Sequence, residues 1–409
     1  MIGFCQCLDE MISIRPIRIV PFQIGRVLTP AALSSVFEFL LIRHNWIVRE
    51  SRGRAKFDTF GTGFVVYKRV GKSLHSIEFG NDGVAIYTVY EQKVSYDDIT
   101  EINPDDLNFV KGMTNKHILS GTELTTTIGI VIGFVEVECD YCGRIFCNAP
   151  GGAEYVFSCF LIRAPTNLLD LEPLKRLVAG ILEPGRPQEI SRRPQYEMAG
   201  AMRSDMSSVC AIVERYTVDR LPFRRVYFSW AAAVVVGEID ISSCGEFVGS
   251  TKEIQAVWSY ASALEGLLDR AAEDVYSSGK MRSAQDVLAR SSRLSLLAKG
   301  YVSFGSGRYS RQKLLSNRII FRNSHLEYLI ESISSKTDMV AKLLDISSNM
   351  TSRRAQGWTQ LTLLALTIVQ GVSSYVAIVA SSTDVPMYMY AGSIALFVMG
   401  IFFTVRARR

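Results

Sequence analysis

Trp358 to Ala380 reads WTQLTLLALTIVQGVSSYVAIVA, and Met387 to Val405 reads MYMYAGSIALFVMGIFFTV. Neither run holds a charged side chain, and the connection SSTDVP between them contributes only Asp384. As a helix rising 1.5 Å per residue, the first run would extend about 35 Å, enough to cross a hydrocarbon core of roughly 30 Å with some tilt. The second is just long enough. Pro386 stops helix continuation between them, so two spans this close together can form only an antiparallel hairpin. Backbone polar groups cannot go unpaired in lipid, which requires each run to be a complete helix.

Working outward, Arg353 and Arg354 precede the first run, while Arg406, Arg408 and Arg409 follow the second. The intervening loop carries no Lys or Arg, so the positive-inside rule places both flanks in the cytoplasm and Asp384 outside. Trp358, Tyr375, Tyr388 and Tyr390 lie near run ends, where amphipathic rings favour the interface. The expectation is an integral membrane protein with two spans and cytoplasmic N- and C-termini.

The rest of the chain has the composition of a folded, water-facing protein. The full chain of 409 residues leaves room for one large or two medium domains beside the hairpin. The formal net charge of +5 is partly the five flanking arginines and does not indicate nucleic acid. The N-terminus, MIGFCQCLDEMISIRPIR, carries Asp9 and Glu10 early and lacks a long apolar core, so it does not read as a signal or transit peptide. The eight cysteines are then expected to be reduced thiols rather than a disulfide framework.

The periodicity predicts an α/β or α+β cytoplasmic domain, a long helical stalk and the two-helix hairpin. Residues 1–182 form an N-terminal α/β domain. Here Thr29-Pro30 offers an N-cap and first-turn proline, and FVVYKRV (64–70), SLHSIEF (73–79) and VAIYTVY (84–90) read as strands. LTTTIGIVIGFVEVEC (124–139) and YVFSCFLIR (155–163) read as two more, with a helix over 167–182. Residues 183–206 read as a linker or mobile loop, because EPGRPQEISRRPQYEMAGAMRSD has no sustained apolar period. Residues 207–249 supply strands completing the domain, with SSVCAIVERY as one and RVYFSWAAAVVVGEID as a central one. Residues 250–354 are helical, and 355–409 hold the hairpin. Between Gly307 and Gly357 there is neither glycine nor proline, and Leu315, Ile319, Leu326, Ile330, Ile333, Val340 and Leu344 form an approximately heptad stripe. One uninterrupted helix running into the first span is expected, packed within one subunit or against copies of itself.

An α/β domain, a long helix entering the membrane, two spans, a short outer loop and a basic C-terminus resemble the CorA-like family of divalent-cation channels. The resemblance is architectural and covers roughly Ser310 to Arg409. It implies ion conduction, a homo-oligomer (a pentamer) and a divalent cation such as magnesium as cargo or regulator. The family's Gly-Met-Asn signature at the outer end of the first span is absent here, where the sequence reads YVAIVASSTDVP.

Gln356, Gln360, Thr367, Gln370, Ser374 and Ser381 fall close to one face of the first span, with Leu363 interrupting them. Such a stripe lines a pore when helices assemble, Leu363 acting as an apolar constriction and Asp384 as an acidic ring at the mouth. Equally, Gln, Ser and Thr hydrogen-bond between packed helices. Cys139, Cys142, Cys147 and Cys159 are spaced C-x2-C-x4-C-x11-C and could hold zinc, although Cys159 sits in an apolar strand pattern where cysteine is commonly a small hydrophobe. The acidic run Asp97, Asp98, Glu101, Asp105 and Asp106 is either a divalent-cation site or a solvated loop. Gly61-Thr62-Gly63 leads into a strand, and Gly305-Ser306-Gly307-Arg308 lacks a P-loop ending, so both read as turns. His44, His75, His117 and His325 show no ligand spacing.

No catalytic constellation is present, so no enzyme activity and no resident cofactor are expected. The sequence thus favours a CorA-like ion channel or transporter gated by its cytoplasmic domain through a small-molecule or metal regulator. Two rivals stay open: a membrane-anchored cytoplasmic sensor or scaffold, and a membrane-disrupting defence effector activated by a ligand. In all three the lipid bilayer is a partner.

Overall fold

The computed structural model describes residues 12–24, 28–48, 63–80, 83–97, 123–137, 156–182, 206–230, 232–239, 244–278, 284–285, 287–292 and 318–380. The chain divides into a sheet-bearing unit, Met1–Asp269 with Val287–Thr337, and a second unit, Arg270–Asp286 with Asp338–Arg409.

A mixed, nine-stranded sheet organises the first unit. Its strands are β1 (Ile12–Gln23), β2 (Val65–Val70), β3 (Ser73–Phe79), β4 (Val84–Tyr90), β5 (Val94–Tyr96), β6 (Phe157–Arg163), β7 (Thr217–Leu221), β8 (Arg224–Phe228) and β9 (Ala232–Gly237). The order is β2-β3-β4-β1-β6-β9-β8-β7, with β5 also paired to β1. All pairs are antiparallel except β6 with β9.

Long central strand β1 contains two prolines, which would ordinarily cost ladder bonds. Pro16 sits where β4 ends and β5 has not begun, and its carbonyl still accepts from the Glu91 N–H at 3.1 Å. Strand alternation turns the missing donor of Pro21 toward β6, but β6 begins at Phe157, opposite Ile19. Pro16 therefore forgoes only the last bond of the β1–β4 ladder, and Pro21 removes a donor that faces no strand among the described residues.

Even-numbered β1 residues face helices α1 (Pro30–His44), α2 (Glu123–Val137), α3 (Glu172–Leu182) and α4 (Met206–Tyr216). Val20 and Phe22 join Leu33, Val36, Leu40, Val131 and Val135 in one core, and Ile12 and Ile14 join Leu177, Ile181, Val209 and Val213 in another. The opposite face carries Ile17, Ile19, Phe157, Cys159 and Val235, all buried. Helix α5 (Gly245–Ser278) covers that side, and the Gln23 side-chain amide donates to its Ser259 carbonyl at 3.2 Å. Asn323 does likewise to the Phe228 carbonyl at 3.1 Å. The result is a sheet with helices on both faces.

Several expectations hold. Thr29 caps α1, its hydroxyl accepting the Ala32 N–H at 3.2 Å, with Pro30 in the first turn. The strands at 65–70, 73–79 and 84–90 form as read.

Others are corrected. The stretch 124–139, expected as a strand, is helix α2 over Glu123–Val137. Its Thr, Ile and Val content favours a strand, yet Ile128, Val131, Ile132 and Val135 are buried at helical spacing and Phe134 stacks on Phe39 at 3.9 Å. SSVCAIVERY is likewise helix α4, burying Val209, Val213 and Tyr216 at intervals of four and three. The single central strand expected over 225–240 is a hairpin, β8 and β9, turned at Ser229, whose hydroxyl accepts the Ala232 N–H at 3.0 Å. Gly237 closes β9 with φ of 151°, where a Cβ would collide with the Phe223 carbonyl.

The expected stalk is also not continuous from its start. A short helix over 318–323 ends at a turn in which His325 takes a φ of 57°. From there α6 (Leu326–Ala380) runs unbroken for 55 residues, about 82 Å.

Candidate functional site

Helix α6 carries most of the pore-lining candidates read from sequence. Gln356, Gln360, Leu363, Thr367, Gln370 and Ser374 all lie on it and are all exposed. Their separations alternate four and three residues, the spacing of one helix face. Trp358, Leu361, Ala365 and Ile368 lie about 150° round the helix from that stripe, at 100° per residue. Trp358 is 55% exposed, and Leu361 and Ile368 are 57% and 58% exposed. Thr359, Thr362 and Thr367 turn their hydroxyls back onto the carbonyls of Ala355, Trp358 and Leu363, each at 2.8 Å. A threonine bonded in this way presents its methyl group outward and leaves no unmet donor.

Among the described residues no helix is long and apolar enough to cross a membrane. Ser381, Asp384 and the second apolar run, Met387 to Val405, lie outside the described residues.

The proposed cysteine set is not assembled within the described residues. Cys139, Cys142 and Cys147 lie outside them, and Cys159 is fully buried in β6. Burial, and secondarily the neighbouring Cys244, hold its thiol well above the ordinary range, where it is inert. No group of three or more His, Cys, Asp or Glu is placed to hold a metal among the described residues. Of the acidic run only Asp97 is described, and Gly61, Thr62, His117 and Gly305 to Arg308 fall outside. His44 packs on Phe39 at the end of α1, and His75 is buried with its Nδ1 2.6 Å from the Tyr87 hydroxyl.

Two charged clusters were not anticipated, and both involve α5. Lys252 is 6% exposed and reaches down to the sheet. Its ammonium pairs with Glu78 of β3 and donates to the Tyr90 hydroxyl of β4 at 3.0 Å. Burial alone drives this ammonium toward neutrality, but Glu78 and Tyr90 outweigh it, and its pKa stands above the usual lysine value. Ser76 and Thr88, paired across β3 and β4 between Glu78 and Tyr90, are fully buried with hydroxyls lacking a partner among the described residues. The sequence held one signal: Lys252 follows Val248 and precedes Ala256 by four residues, placing a charge on the buried stripe of a helix.

The second cluster joins α5 to α6. Lys336 lies 3.1 Å from Glu265 and 2.8 Å from Asp269, and the Ser332 hydroxyl donates to Glu265 at 2.6 Å. Partial burial lowers the Lys336 pKa, but the bonds to Asp269 and Glu265 raise it more.

No family model, curated protein or solved structure matches the chain.

Proposed function

We propose that this chain is an oligomeric membrane protein of CorA-like build that conducts ions, with the sheet-bearing unit as its cytoplasmic regulator. The observation that carries the reading is the continuity of α6, which starts with Leu326 in the sheet-bearing unit and runs on as one helix through the first apolar run. A helix transmits displacement along its axis, so a ligand that alters packing around α5 and α6 could reset the stripe from Gln356 to Ser374. In this reading the exposed Trp358, Leu361 and Ile368 meet lipid or the second run, while the polar stripe turns inward. The chain spans the membrane twice with both termini cytoplasmic, and Leu363 forms the constriction. A divalent cation is the cargo that the resemblance implies, although the missing Gly-Met-Asn leaves selectivity to other groups.

Ion flux through the purified full-length protein in liposomes, with magnesium, potassium and chloride assayed separately, tests the proposal. Hairpin-dependent flux is expected, and Gln370→Glu should change its rate or cation preference about tenfold by placing a charge on the pore wall. Unchanged flux in Gln370→Glu removes the stripe from the pore. Absence of all flux in a confirmed oligomer leaves the anchored sensor as the reading, whereas leakage of large dyes favours the membrane-disrupting effector.

A further inference from the structure

We propose that Lys336, Glu265 and Asp269 form an electrostatic latch that holds α6 against α5 and makes the position of α6 sensitive to ionic conditions. Its consequence for conduction rests on the channel reading above, but the latch itself does not.

Within the sheet-bearing unit, α6 buries Leu326 and Ile333, while the residues between them are half-buried or exposed. So small an apolar contact makes a weak dock for a helix of this length, and charge carries a larger share of the attachment. Glu265 and Asp269 sit four residues apart on α5, a like-charged spacing that repels unless a cation lies between them. Lys336 is that cation and bonds both carboxylates, while Ser332, one turn earlier on α6, caps Glu265. Removing Lys336 takes away this charged tie between the helices and leaves the Ser332 hydroxyl to hold Glu265 from α6.

The latch is also open to solvent. The side chains of Lys336, Glu265 and Asp269 are 27%, 29% and 56% exposed, whereas those of Lys252 and Glu78 are 8% and 13% exposed. Salt screens exposed pairs and leaves buried ones largely untouched. The attachment of α5 to the sheet should therefore ignore ionic strength, while that of α6 to α5 responds to it. Lys336 is in this sense a positioning residue for the helix that bears the polar stripe.

Hydrogen exchange on detergent-solubilised full-length protein reads the latch without requiring conduction. Lys336→Ala should speed exchange of the α6 amides between Ile330 and Thr337 about 3- to 10-fold, and Lys336→Arg should stay near the parent. Raising salt from about 0.05 to about 0.5 M should move the parent toward Lys336→Ala and leave that variant unmoved. Asp269→Asn, at the most exposed of the three positions, should show a smaller change in the same direction and serves if Lys336→Ala fails to fold. Equal exchange in parent and variants, or a salt response that persists in Lys336→Ala, overturns the latch. If exchange behaves as expected while no variant carries ions in liposomes, the latch stands and the channel reading falls.

Discussion

Helices α5 and α6 are the two longest in the described structure, and they are held in opposite ways. Along α5, Val248, Thr251, Ile254, Val257, Tyr260, Ala261, Leu264 and Leu268 are buried, and even its lysine at 252 is taken into the interior and paired there. Along α6, Leu326, Ile333 and Val340 are buried at seven-residue intervals, and beyond Val340 no described residue is. The difference lies in what each helix offers its neighbours. The apolar stripe of α5 is broad enough to cover a sheet face, whereas that of α6 is a narrow seam that gives way to Ser347, Ser348 and Asn349. One helix is part of the core, and the other is attached to it.

This contrast can be broken most forcefully at Lys252. Lys252→Ala leaves Glu78 buried without its cation and should cost about 3–5 kcal/mol in chemical unfolding of the full-length protein. Lys252→Met combined with Glu78→Leu should recover most of that loss, because packed apolar groups replace a buried ion pair well. A small effect of the single substitution would mean that α5 is not fixed where the structure puts it.

A matched pair of truncations sharpens the comparison. Leu264→Ala, fully buried on α5, should destabilise the sheet-bearing unit by about 2–5 kcal/mol. Leu361→Ala, 57% exposed on α6, should leave that unfolding transition within about 0.5 kcal/mol of the parent. Similar losses at both sites would show that the distal part of α6 contributes to the same cooperative core.

The smallest effect is a pH dependence. Burial pushes the Tyr227 phenol up to about 12, with Arg225 and Arg220 acting in the opposite sense. Because the unfolded phenol ionises near 10, the folded state is fully favoured below that pH and loses stability as pH rises from 10 to 12. The loss should be about 2 kcal/mol, and Tyr227→Phe should remove it from unfolding curves measured across that window. A slope as steep in Tyr227→Phe as in the parent would assign the alkaline loss to other groups, whereas a reduced one leaves only the share that the raised pKa of Lys252 contributes.

Legibility from sequence tracked how locally each feature is encoded. The Thr29 cap and the three strands between Val65 and Tyr90 were readable because a cap or an alternating strand is specified by residues close together in the chain. The sequences of α2 and α4 read as strands because Thr, Ile and Val favour extended backbone, and packing on α1 or on α3 and the sheet overrides that preference. The polar stripe of α6 was visible as a spacing alone. The Lys252 and Lys336 clusters were not visible, since their partners stand 174 and 67 residues away.

By itself the sequence determined the two apolar runs, their flanking arginines, the four-and-three spacing of Gln356 to Ser374 and the absence of helix breakers from Leu326 to Gln356. These are properties of composition and period, and no fold is needed to read them. Only the tertiary structure decided that β6 and β9 lie side by side across the intervening sequence, that helices cover both sheet faces, and that α5 is buried where most of α6 is exposed. Those outcomes depend on which distant surfaces meet, and a burial free energy shared among distant residues leaves no signature in any one stretch of chain.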